Sequence, residues 1–339
     1  MTRINRWGLL ASLFGRGSKR KGDDEEQSGG DIMIKNKVVG LDIGSGFTKC
    51  YDGVNKVVFP SVYCYRQPMA WEDESGIIEG VGEKALEIAE HPNAVKLYPI
   101  INSKPQYQVF IKIAEEALKR VGVDLRDPVP LVSGLPYETG KQERKEVEAL
   151  LRKHLSLSNL SIYPQALGTL FDLDLRSGTV INIGHATSEL LIIEKLNILG
   201  GLSEPLASDF IISALSDLIQ ERHGFKPSVE SILSLLVGRI AKITSFDKAT
   251  VYRADVEEVV GKSISYLTDK IAYDARAILT QLPENLDCAN KVILSGGGSL
   301  IKGVRKAVED KLNVRVKVPD DPMFSNSLGF YKVGVKLYG

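Results

Sequence analysis

Leu41-Asp42-Ile43-Gly44-Ser45-Gly46-Phe47-Thr48-Lys49 places an acid at the end of an apolar run, then a glycine-serine-glycine turn, then a lysine. The run Val38–Ile43 reads as a buried strand. Residues 49–52 and 55–60 continue as strands, with Asp52-Gly53 as the turn between them. Such a hairpin lets backbone N–H groups approach phosphate oxygens without interference from Cβ atoms. Asp42 at its base can hold a hydrated Mg2+, and Lys49 can neutralise terminal phosphates. The glycine spacing, and the lack of a helix directly after the turn, exclude a Walker A loop and a dinucleotide fingerprint.

The device occurs twice. Val180-Ile181-Asn182-Ile183-Gly184-His185-Ala186-Thr187-Ser188-Glu189 is again strand, tight turn, strand, so two equivalent loops could clamp one polyphosphate. A third junction, Val292-Ile293-Leu294-Ser295-Gly296-Gly297-Gly298-Ser299, ends a strand and is expected to open a helix over 301–312 with Ser299 as its N-cap. Its three glycines would let backbone lie flat against a nucleobase or phosphate. Elsewhere helical periodicity covers 109–121, 141–155, 209–223 and 255–282, and strands are expected over 129–135, 179–183, 189–194, 291–295 and 314–318. Strands followed by helices therefore occur twice, which predicts an α/β fold of two similar lobes with a ligand cleft between them.

Forty-three Lys plus Arg balance 43 Asp plus Glu in 339 residues, so no global charge draws the chain to nucleic acid or anionic lipid. No direct nucleic-acid contact is expected. Neutrality also weakens repulsion between copies, which favours self-association. No apolar run reaches the roughly 18 to 20 residues needed to span a bilayer, and a cytoplasmic protein is expected. Cys50, Cys64 and Cys288, with no CxxC spacing, read as buried thiols, and the four scattered histidines form no metal cluster. Lys141–Lys145 reads as a solvated helix face.

Residues 1–32 stand apart as a leader. Arg3, Arg6, Arg16, Lys19, Arg20 and Lys21 occur without an acid through position 21, and Asp23, Asp24, Glu25 and Glu26 follow. Ile4, Trp7, Leu10, Ala11 and Phe14 fall at helical spacing, as in a helix lying in a membrane interface. Weak membrane contact through residues 3–21 is one reading. A disordered leader upstream of a start at Met33 is the other.

The order of these motifs resembles the actin, Hsp70 and sugar-kinase superfamily of ATPases over about residues 34–335. Asp42–Lys49 is similar to its phosphate 1 loop, Ser161–Leu170 to its interlobe connecting helix, Thr179–Thr187 to its phosphate 2 loop and Leu294–Ser299 to its adenosine loop. The compact length and the ending Val318–Phe330 resemble the ParM/StbA-type actins and their short archaeal relatives. The resemblance implies two RNase H-like lobes with an interlobe nucleotide cleft: lobe I over 33–163 with residues 319–339 returning to it, and lobe II over 164–318. It also implies ATP or GTP with Mg2+, a homopolymer filament, and an adaptor linking that filament to DNA or membrane.

The same resemblance assigns roles. Asp42 would organise Mg2+ through water; Gly44, Ser45, Gly46 and Thr48 would contact phosphates; Lys49 would bind the β and γ phosphates. Gly184, His185, Ala186 and Thr187 would form the facing loop, and Gly296, Gly297, Gly298 and Ser299 the adenosine loop. Asp209 would contact the ribose or cap its helix, and Gln165 would position the attacking water. Two residues depart from the family pattern: Asn182 where aspartate is usual, and His185 where glycine is usual. An amide is a poor proton acceptor, and losing a carboxylate there costs roughly 10²-fold or more in rate. Slow hydrolysis is therefore expected, while binding survives on Asp42, Lys49 and backbone donors. A non-hydrolysing scaffold tethered to membrane by the leader, as in FtsA- or PilM-like relatives, is the alternative, and a small-molecule kinase is third. An Hsp70-type chaperone is not expected, since no peptide-binding domain follows Gly339.

Overall fold

The computed structural model describes residues 37–72, 76–283 and 285–339, so the expectations for residues 1–32 and for a start at Met33 lie outside the described residues. β1 (Val39–Ile43) is buried along its whole length, as a strand covered on both faces must be. β2 (Phe47–Tyr51) and β3 (Lys56–Pro60) follow as its antiparallel neighbours. A small antiparallel sheet of Tyr63–Arg66, Ile78–Val81 and Val95–Leu97 is inserted next. Then come α1 (Tyr107–Arg120), β4 (Pro130–Leu135), α2 (Lys141–His154), β5 (Asn159–Pro164) and α3 (Gln165–Asp172). The sheet order is β3-β2-β1-β4-β5, with β4 parallel to β1 and to β5.

The second half repeats this plan. β6 (Gly178–Ile183), β7 (Ser188–Glu194) and β8 (Asn197–Glu204) form the antiparallel part. After them come α4 (Ser208–His223), α5 (Val229–Val237), a hairpin of Lys242–Thr244 with Thr250–Tyr252, and α6 (Glu257–Leu279). β9 (Val292–Ser295), α7 (Val304–Leu312), β10 (Val316–Lys317) and α8 (Ser325–Tyr338) complete the chain. The order β8-β7-β6-β9-β10 matches the first sheet strand for strand.

Each sheet has its own outer core. Leu41 and Ile43 of β1 cluster with Phe110, Ile113 and Ala117 of α1 and with Leu151 of α2. The apolar residues of α1 recur at three- and four-residue spacing, which is why that helix amphipathically covers the sheet. Ile181, Ile183 and Leu294 cluster with Leu215 of α4, Leu267 of α6 and Val304 of α7. A third core lies between the sheets, where Val132, Val180 and Leu191 meet Leu170 and Phe171 of α3 and Phe330 and Val333 of α8. Each such large apolar side chain contributes about 1.5–3 kcal/mol by burial, so α3 and α8 hold the two sheets together rather than merely linking them.

These two helices touch through backbone. A Cβ on Gly329 would lie 1.8 Å from the Gly168 carbonyl oxygen, and one on Gly40 of β1 would lie 2.1 Å from that of Ser327. Only glycine lets α8 settle against both α3 and β1.

The boundaries differ from expectation in instructive ways. Ser161–Pro164 belongs to β5, so the connecting helix starts only at Gln165, directly after a proline that fixes its own φ. The helix expected from Ile301 starts at Val304, after a tight turn over Gly297–Leu300. α6 ends at Leu279, and its expected first residues form a 3-10 turn, Arg253–Val256.

Candidate functional site

Asp42 and Lys49 face each other across the first hairpin, with Lys49 Nζ 3.3 Å from Asp42 Oδ2. Asp42 is 4% exposed. Gln165, the first residue of α3, donates from Nε2 to the Ile43 carbonyl at 2.8 Å and to Asp42 Oδ1 at 3.3 Å. Three of the expected residues, Asp42, Lys49 and Gln165, are thus brought together. Gly44 closes the turn through its N–H to the Phe47 carbonyl. Thr48 is a correction: it is fully buried and its hydroxyl bonds that of Ser61 at 2.7 Å. Successive strand residues point to opposite faces, so a lysine aimed at the cleft turns its neighbour into the core.

The second hairpin places Asn182 opposite Glu189 at the register point where the first has Asp42 opposite Lys49. Asn182 Oδ1 accepts from Ser295 Oγ at 3.3 Å. Thr169 Oγ1 lies 2.9 Å from both Ser295 Oγ and Asn326 Oδ1, so this polar chain runs from Asn182 to α3 and α8. The N–H of Gly184 closes the turn onto the Thr187 carbonyl.

The two hairpin tips meet. Ala186 N–H donates to Ser45 Oγ at 3.2 Å, and the His185 ring stands edge-on to Phe47 at 6.4 Å. A Cβ on Gly46 would lie 2.4 Å from that of His185. Burial lowers the imidazole pKa and Lys49 lowers it further, against the opposing pull of Asp209, so the ring is neutral at neutral pH. Asp209 is not an N-cap: Ala207 holds that position, and Asp209 lies in the first turn of α4. There its N–H bonds the His185 carbonyl, while Ser208 Oγ donates to the Gly184 carbonyl, so α4 pins the hairpin turn from behind.

At the third junction the glycines divide their work. A Cβ on Gly296, whose φ is +83°, would lie 2.3 Å from the Ile183 carbonyl oxygen, and one on Gly298 would lie 2.3 Å from Ile183 Cγ2. Gly297 has nothing within 4 Å and is the glycine open to a ligand. Ser299 donates to the Gly296 carbonyl at 2.6 Å, and Gly303 caps α7, so the expected Ser299 cap is corrected.

Sequence reasoning passed over one residue. Glu189 is buried and accepts the Ala166 N–H at 2.5 Å and the Tyr137 N–H at 2.6 Å. Burial pushes its carboxyl up to about 8, with Asp42 and Glu138 adding. The signal that could have found it is its place opposite Asn182, equivalent to that of Lys49 opposite Asp42.

These residues fit a nucleotide with its cation. Among the described residues, the N–H groups of Ser45, Gly46 and His185 have no backbone partner, and such donors suit polyphosphate oxygens. No group of three or more His, Cys, Asp or Glu that could hold a metal occurs among the described residues. A cation here would rest on Asp42 and on the ligand's own oxygens, as Mg2+ commonly does.

Comparison with known proteins identifies the family and the fold. The family model for actin like proteins, N terminal domain, matches residues 40–168, and that for MreB/Mbl protein matches residues 132–337. No curated protein matches the sequence. Among solved structures, MreB5 of Spiroplasma citri bound to AMPPNP superposes with a TM-score of 0.69 at 16% identity, over 86% of this chain and 94% of that one. The same protein bound to ADP gives the same values. The MamK double helical filament gives a TM-score of 0.73 at 17% identity, over 87% of this chain and 98% of the other. At these identities the likeness is one of fold. Because the MreB/Mbl model spans more than half of the residues, the chain belongs to the MreB/Mbl family within the actin-like ATPase superfamily.

Proposed function

We propose that this protein binds Mg-ATP between two lobes, 33–163 with 319–339 and 164–318, and assembles into cytoskeletal filaments of a DNA-segregating or cell-organising type. The observation that carries this is the meeting of Asp42, Lys49 and Gln165 beneath two glycine-turn hairpins whose tips touch. In this reading Lys49 and the hairpin N–H groups hold the phosphates, and Gln165 orients water. Mg2+, held through water by Asp42, would supply charge neutralisation between the phosphate oxygens. The MreB5 structures bound to AMPPNP and ADP and the MamK filament support nucleotide binding and self-assembly by analogy. GTP is the competing nucleotide.

Because the tips touch through His185 and Gly46, nucleotide entry requires the hairpins to part. Asn182 favours slow turnover, and at the limit of no turnover the chain would be a nucleotide-ordered scaffold. Among the described residues no helix is long and apolar enough to cross a membrane, so membrane contact in that second reading falls to residues 3–21. The deciding experiment couples phosphate release to light scattering and pelleting, with ATP, GTP and no nucleotide. Polymer only with nucleotide, accompanied by slow release, is expected. A strictly monomeric protein at high concentration with either nucleotide overturns the filament reading.

A further inference from the structure

α3 begins without a cap of its own. Pro164 occupies the N-cap position and offers no side-chain acceptor, so the N–H groups of the first turn need partners from elsewhere. Glu189 supplies one from the other sheet. Standing on β7, it accepts the Ala166 N–H on one oxygen and, on the other, the Tyr137 N–H from the loop after β4. A carboxylate is electrostatically suited to a helix N-terminus, and with both oxygens engaged the side chain has no freedom to turn away. Ala166 directly follows Gln165. Gln165 is therefore held at both ends: its amide by the Ile43 carbonyl and Asp42, its backbone by Glu189 through the next residue.

We propose that Glu189 is a positioning residue that grips the start of α3 from the second sheet, fixes Gln165 for the attacking water, and ties that placement to closure of the two lobes. This rests on the role given to Gln165 above. A sheet that shifted relative to α3 would break two short hydrogen bonds at once, so Gln165 is in place only when hairpin and helix are seated together.

The charged groups facing Glu189 are Asp42 on β1, which is itself paired with Lys49, and Glu138 beside Tyr137. Burial, helped by those two acids and opposed by the two N–H donors, pushes the carboxyl up to about 8. Above that pH both oxygens are free to accept. Below it one of them carries a proton. Glu189→Gln approximates the second case, with one oxygen acceptor and a donor-only amide NH2 where the other oxygen stood.

The test is single-turnover hydrolysis of Mg-ATP by the full chain at pH 6 and pH 9 for the wild type, E189Q, Q165A and the double variant. Affinity for a fluorescent ATP analogue is measured alongside. The ratio of wild-type to E189Q rates is expected below about threefold at pH 6 and above about tenfold at pH 9, with affinity changed by less than about threefold. Adding E189Q to Q165A is expected to cause no further loss, since the two act as one unit. Glu189→Asp keeps the charge, and so the pH dependence, at a reduced rate. Equal ratios at the two pH values, an affinity loss as large as the rate loss, or full additivity on Q165A each overturn the proposal. Wild-type turnover in Q165A overturns the role of Gln165 instead. Should the wild type not hydrolyse at all, hydrogen exchange decides: faster exchange at Ala166 and Tyr137 in E189Q at pH 9 upholds the grip, and unchanged exchange overturns it.

Discussion

In the proposed nucleotide reading, Asn182 is the residue whose substitution tests turnover most directly. Its Oδ1 already accepts a hydrogen bond from Ser295, and a carboxylate can accept the same bond in the same space. Asn182→Asp therefore changes charge and basicity with little change in shape. The single-turnover rate with Mg-ATP should rise, by up to about 10²-fold, because the new group both accepts a proton and helps hold the hydrated cation. The gain should vanish without Mg2+, because the new carboxylate acts partly through the hydrated cation it helps to hold. An unchanged rate in the presence of Mg2+ would remove Asn182 from the catalytic assignment. Asp42, Lys49 and Asn182 stood out in the sequence because each lies in or beside a glycine turn, whereas Gln165, which follows Pro164 at the start of α3, was reached only through the family resemblance. Glu189 did not stand out. Its partners are backbone N–H groups 23 and 52 residues away, and only its register opposite Asn182, equivalent to that of Lys49 opposite Asp42, points to it. Thr48 was misassigned for a related reason, since a loop motif read residue by residue ignores that the strand has already begun and sends alternate side chains inward.

Among elements, the crossing of α3 and α8 carries the largest mechanical demand. Gly329→Ala would place its Cβ 1.8 Å from the Gly168 carbonyl oxygen and 2.7 Å from the Asp172 nitrogen. Both are backbone atoms, which cannot rotate away as a side chain can. A loss of about 3 kcal/mol or more is expected in urea denaturation. Gly261→Ala supplies the contrast: it lies in the interior of α6 with nothing within 4 Å, so it should gain about 0.5–1 kcal/mol from helix propensity alone. A mild effect at Gly329 would mean that the helices do not cross as closely as described. The central strands β1 and β4 were readable as short, continuously buried runs, and the amphipathic helices α1 and α2 because each buries one face and shows its period. α8 was not, because it is wedged between β1 and α3 and buries Ser325, Asn326, Ser327, Gly329 and Phe330 on more than one side. A helix covered on several faces loses the one-sided pattern that marks it. The small inserted sheets escaped for the opposite reason: strands of three or four residues are too short for alternation to register.

At the scale of the whole molecule, neutrality and the leader must be weighed together. Without residues 1–32 the chain has 37 basic and 38 acidic residues, so the body itself holds no charge that would draw it to a membrane. The leader has six bases and five acids, arranged as a basic segment followed by an acidic one. Each Lys or Arg near an anionic surface is worth about 1 kcal/mol, but four acids, Asp23–Glu26, follow Lys21 closely in sequence and offset part of that attraction. A single copy should therefore bind phosphatidylserine vesicles only weakly, and the apolar residues Ile4, Trp7, Leu10 and Phe14 would have to supply the remainder. Assembly changes the balance, because many weak anchors on one filament engage together. Flotation of the full-length protein with vesicles is thus expected in low salt with ATP, to fall steeply in high salt, and to be slight without nucleotide. Protein starting at Met33 should stay in the pellet fractions under all three conditions. Equal flotation of the two forms would end the tether, and flotation independent of nucleotide would show that the leader binds without the help of assembly.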